Sequence, residues 1–68
     1  MDKIDKKIIN QWAACQTNLN FKFKDGTEKQ GFVKGSYGLS LFVDFGVKDK
    51  KAVTFNVLES ISEVYISA

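Results

Sequence analysis

The chain has 68 residues, enough for one domain that buries only about 60 % of the surface its unfolded form exposes. A single cysteine, Cys15, excludes a disulfide framework and favours a reducing compartment, and the absence of histidine removes the commonest general base and metal ligand. The net charge of +2 is mildly basic, and all ten cations are lysine, which holds phosphate as a point charge but lacks the planar fork that reads a base bidentately.

Lysine is concentrated early. Residues 1–34 carry seven (Lys3, Lys6, Lys7, Lys22, Lys24, Lys29, Lys34) against four acids, and the remainder is near neutral. These lysines either keep a small domain soluble or meet the backbone of a nucleic acid. No run approaches the roughly 20 apolar residues of a membrane span. The N-terminus is charged from Asp2 onward and has no apolar signal core, so a cytoplasmic protein is expected.

In chain order, Asp2 to Gln16 reads as the one helix. Asp2 is the expected N-cap, and Asp5 falls near the positive end of the helix dipole. Ile4, Ile8, Trp12 and Cys15 form an apolar stripe, widened by Ile9 and Ala13. Trp12 reads as an anchor packing the helix on a sheet, or as a stacking platform. Cys15 reads as a small buried hydrophobe. Thr17 and Asn18 should stop the helix.

Leu19 to Lys24 alternates, with Leu19, Phe21 and Phe23 on one face. Asp25-Gly26 is a hairpin signal, and Glu28 to Lys34 is the return strand. Gly31 within it marks a bend or a close backbone approach. Gly35 to Gly38 is a turn or a bending segment. Leu39 to Phe45 alternates again, with Leu39, Leu41, Val43 and Phe45 inward. A polar connection (46–51) precedes a strand over 52–57 with Val53, Phe55 and Val57 inward. Leu58 to Ser60 reads as a tight turn or one turn of 3₁₀ helix, and Ile61 to Ile66 as the last strand. One helix and five short strands with glycine bends imply a mainly β chain forming a small, closed or nearly closed SH3-like barrel. It is read as one domain over 1–68, helix about 2–16 and barrel about 18–67. Strands four and five would be its edges, and pairing them between subunits would close a homo-oligomer.

The pattern D-G-x-x-x-x-G from Asp25 to Gly31, the preceding LNFKFK strand and the LSLFV strand resemble the first motif of the Sm-like superfamily. The layout is similar to its bacterial Hfq branch, and Ser60 to Val64 resembles the family's last strand. Ala14 to Gln16, Lys24 to Gly26 and the closing segment also resemble the Rof antiterminators, which bind Rho. The resemblance implies an Sm-like barrel acting in RNA metabolism or post-transcriptional regulation. Its Rof-like alternative is a protein-interaction module that modulates transcription termination through Rho or other RNA machinery.

The positions of the second Sm motif that read uridine hold Val57, Leu58 and Glu59, so no such pore site is expected. Of the purine pocket on the opposite face, Gly26 and Gln30 match, and Lys22 stands at the aromatic position. The Rof helix is acidic where it faces Rho, whereas these places hold Lys6, Lys7, Ile8 and Ile9.

No enzyme is expected, because no carboxylate pair, phosphate loop or Cys/His cluster sits at a diagnostic spacing. No cofactor or metal is expected either. The RNA-binding candidates are Lys22, Lys24, Gly26, Lys29, Gln30, Lys34 and Tyr37, with lysines on phosphates and Tyr37 stacking or packing at a turn. The interface candidates are Phe42, Thr54, Asn56 and Tyr65, and Phe42 is also a candidate to stack a base.

Overall fold

A computed structural model describes residues 4–46 and 48–64. Helix α1 (Lys6–Cys15) precedes strands β1 (Leu19–Phe23), β2 (Glu28–Tyr37), β3 (Ser40–Asp44), β4 (Lys50–Thr54) and β5 (Leu58–Glu63), with a 3₁₀ turn at Phe55–Val57. The five antiparallel strands form one sheet in the order β4-β3-β2-β1-β5. β4 and β5 are its two edges and do not pair with each other, so the expected helix, five strands and edges are present but the sheet is open.

The helix starts later than the sequence pattern implies. Asp5 is the N-cap, its Oδ1 accepting the Lys7 N–H at 2.9 Å, and Ile4 lies before the first turn. Asp2 lies outside the described residues. The left-handed Gln16 (φ 50°) ends the helix, and the Thr17 N–H donates back to the Trp12 carbonyl at 3.1 Å. Ile4, although it precedes the helix, still packs against the core. Ile9 is buried, Trp12 and Ala13 are half-buried, and Ile8 and Cys15 face solvent. Of the Ile4–Ile8–Trp12–Cys15 stripe, Ile4 and Trp12 pack against the core while Ile8 and Cys15 do not, so the buried face is centred on Ile9, Trp12 and Ala13, and Cys15 is not a core residue.

Trp12 is the anchor of α1. Its ring is half-buried against the core, and Nε1–H donates to Glu63 Oε1 of β5 at 2.9 Å. Trp12→Phe keeps the ring contact and removes this donor, so it should cost about 0.5–1.5 kcal/mol. An unchanged urea midpoint would show that the ring alone holds the helix down.

Alternation builds the core. Leu19 and Phe21 of β1, Val33 of β2, Leu41 and Val43 of β3 and Val53 of β4 are buried, joined by Ile9, Phe55 and Leu58. Phe45, just past β3, sets its ring edge-to-face on Phe21 (centroids 5.4 Å apart, planes at 79°). The Asp25-Gly26 hairpin forms as expected. Gly26 has φ 96°, and Asp25 Oδ1 accepts the Thr27 N–H at 2.9 Å, a bond that lowers the Asp25 pKa below the usual carboxylate value. Gly31 is a close backbone approach, because a Cβ there would lie 2.6 Å from the Asp44 carbonyl oxygen.

Four local readings change, the first being that β4 begins at Lys50, inside the expected polar connection, and ends at Thr54 rather than running over 52–57. β2 runs on to Tyr37 rather than ending at Lys34, with a register shift that leaves Lys34 bulged between Val33 and Gly35. The turn then falls at Gly38-Leu39, which puts Leu39 outside the core at 67 % exposure. The 3₁₀ turn comes at Phe55–Val57 instead of Leu58–Ser60. A 3₁₀ turn places residues i and i+3 on one side, so Phe55 and Leu58 both enter the core while Val57 is exposed. Leu58, expected in a turn, is the fully buried first residue of β5, opposite Phe23.

Candidate nucleic-acid interface

The alternation that buries Val33, Leu41, Val43 and Val53 turns the intervening residues of β2, β3 and β4 to the other face. Phe32 opposes Asp44, which opposes Lys50, and Phe42 opposes Gly35 on one side and Ala52 on the other. Phe32 and Phe42 are therefore diagonal neighbours across β2 and β3, within reach for side chains of that size. Both remain open to solvent, at 39 % and 46 % exposure.

Two hollows flank these rings and share Lys50. One, of about 260 Å³, lies along Phe42, Ala52, Lys34 and Lys51. The other, of about 530 Å³, runs past Phe32 to Gln30, Asn18, Asp44 and Lys48. The charge on this face is largely uncommitted. Lys34, Lys48 and Lys50 form no ion pair among the described residues, whereas Asp49 is engaged by Lys29 at 3.7 Å and Lys51 at 3.4 Å. The Asp44 carboxylate accepts the Gly46 N–H through Oδ1 at 3.0 Å.

The sequence candidates do not gather into one site. Gln30 and Lys34 line this face. Lys22 sits on the solvent side of β1 and pairs with Glu59 at 3.5 Å. Lys24 and Gly26 belong to the exposed β1–β2 hairpin. Lys29 falls at an inward position of β2, with Nζ 5.3 Å from the centroid of the Phe45 ring as well as beside Asp49. Tyr37 is 80 % exposed at the far end of β2 and borders a separate hollow with Ile4, Lys6, Ile9 and Phe55. Of the interface candidates, Phe42 is part of the aromatic face. Thr54 ends β4 and Asn56 lies in the 3₁₀ turn, both exposed, and the Thr54 Oγ1–H donates to Asn56 Oδ1. Tyr65 lies outside the described residues.

Phe32, Lys48, Lys50 and Asp44 are not singled out by the sequence. The outward position of Phe32 follows from the period-2 pattern around Val33. The positions of Lys50 and Asp44 depend on the β3–β4 register, which no local signal reveals. Among the described residues no group of three or more His, Cys, Asp or Glu converges, and no helix is long and apolar enough to cross a membrane. No protein-family model matches the chain, and no curated protein is significantly similar to it in sequence.

Proposed function

We propose that this chain is a non-catalytic Sm-like module that binds single-stranded RNA through the outer face of β2, β3 and β4. The observation that carries the reading is the pair of exposed rings, Phe32 and Phe42, set among three lysines without ion-pair partners among the described residues. Exposed aromatic platforms beside lysines suit single strands, whose bases stack while their phosphates meet point charges. The helix followed by five antiparallel strands and the tight approach at Gly31 support the Sm-like part of the reading.

The binding test is a filter or anisotropy titration with short A-rich and U-rich RNA at low salt. Phe42→Ala should weaken binding about 5- to 100-fold, the range expected when one stacking ring is lost. Three lysine–phosphate contacts should give a slope of about −2 in log affinity against log salt. Failure of every RNA to bind at about 50 mM salt, where charge attraction is strong, would rule the reading out.

The module is proposed to act as a cytoplasmic homo-oligomer. β4 carries Lys50 and Lys51, β5 carries Glu59 and Glu63, and both strands are sheet edges. Head-to-tail pairing of one edge with the other through their main chains would cover both and close a ring. Native mass spectrometry should then show a hexamer or heptamer. A monomer retained on Rho would instead indicate the Rof-like protein-interaction role.

A further inference from the structure

We propose that the larger hollow on this face reads bases carrying an amino group, cytosine, adenine and guanine, in preference to uracil, and that Asp44 is the reader. The inference rests on the single-stranded RNA reading above and adds a base preference to it.

The hollow, at about 530 Å³, falls within the range of roughly 300–1,000 Å³ typical of small-ligand sites. The Phe32 ring offers a stacking surface on one side of it. Asp44 lines the same hollow from the solvent-facing register of β3. One carboxylate oxygen is engaged by the Gly46 N–H, and the other has no partner among the described residues. Although Lys50 opposes Asp44 across β3 and β4, the two form no ion pair.

A carboxylate repels phosphate, so the part of a nucleotide that can lie against Asp44 is the base edge. Lys48 and Lys50, which line the same hollow, are placed to take the phosphates. A carboxylate accepts hydrogen bonds and cannot donate them. The exocyclic amino groups of cytosine, adenine and guanine donate to such an acceptor, whereas at the position of the cytosine amino group uracil presents O4, a lone pair, and must turn its neighbouring N3–H to the carboxylate instead. Cytosine and uracil match in size and differ at that position, so they separate this chemistry from stacking and charge.

The experiment measures binding of C8 and U8 RNA to the full chain and to Asp44→Asn under one salt condition. The substitution is not expected to disturb the fold, since the carbonyl oxygen of the new amide can still accept the Gly46 N–H, while its NH₂ group can also donate to an O4. The native chain should prefer C8 by about fivefold or more, the scale of one discriminating base contact. D44N should bring the ratio close to one, and Phe42→Ala should weaken both RNAs while leaving the ratio in place. Equal binding of C8 and U8, a preference for U8, or a C8 preference that survives in D44N would overturn the assignment. Failure of both RNAs to bind would overturn the underlying RNA-binding reading along with it.

Discussion

Gly31→Ala is expected to lower the urea midpoint of the domain sharply. The added Cβ would meet the Asp44 carbonyl oxygen at 2.6 Å, Phe45 Cδ1 at 3.0 Å and Phe45 Cα at 3.2 Å. Two of those three atoms are main chain, so no rotamer change relieves the clash. β2 would have to move away from the end of β3, taking Phe45 off Phe21. Overpacking of this kind costs about 1–3 kcal/mol and more where the neighbours cannot give. A core in a chain of this size rarely supplies more than about 3–5 kcal/mol. Gly35→Ala is the matched control, because nothing lies within 4 Å of a Cβ there. It should be neutral or stabilise by up to about 1 kcal/mol, since glycine in a strand is entropically costly. Urea denaturation followed by circular dichroism compares them, and equal midpoints would refute the close-approach argument.

Phe21→Ala should have an effect at least as large. Phe21 is fully buried, lies in the central stretch of β1 between β2 and β5, and holds the edge-to-face contact with Phe45. Truncating a buried phenylalanine costs about 3–5 kcal/mol through lost transfer energy and an unfilled cavity. That equals the whole stability expected of such a chain, so the cooperative thermal transition should vanish. Phe32→Ala changes the same residue type on the opposite face and should shift stability by less than about 1 kcal/mol. It should nonetheless weaken RNA binding. A variant that loses binding with its melting curve intact separates the two faces of the sheet, whereas an intact transition in Phe21→Ala would contradict the assigned core.

The first hairpin is legible in the sequence because two strong local signals agree there: the alternation of Leu19, Phe21 and Phe23, and the Asp-Gly turn. Gly31 is legible as a constraint because a glycine inside an alternating strand needs a reason. The helix is misphased because Ile9, Trp12 and Ala13 fit helical spacing as well as Ile8, Trp12 and Cys15 do, and only the sheet decides between the two faces. The β4–β5 passage misleads because a 3₁₀ turn replaces period two with period three for three residues, and Phe55-Asn56-Val57 carries no glycine or proline to announce it. The candidate site is half legible. Gln30 and Lys34 lie on it, but Lys29 and Lys22 are engaged by Asp49 and Glu59, and such pairings come from tertiary structure rather than from spacing. Phe32 resembles one more core residue until the strand it sits in has a face.

The strand order also bears on how the chain folds. β1 to β4 form a meander in which each strand pairs with its sequence neighbour, so these contacts close short loops. β5 alone must find a distant partner, with Glu63 opposite Leu19, and the Trp12–Glu63 bond spans 51 positions along the chain. The entropy of closing that long loop must be overcome before Leu58 and Ile61 are rewarded with burial. The return of the last strand is therefore the expected slow step of folding. The Trp12–Glu63 bond ties α1 to that last strand, so the return of β5 adds to the packing of the helix on β2.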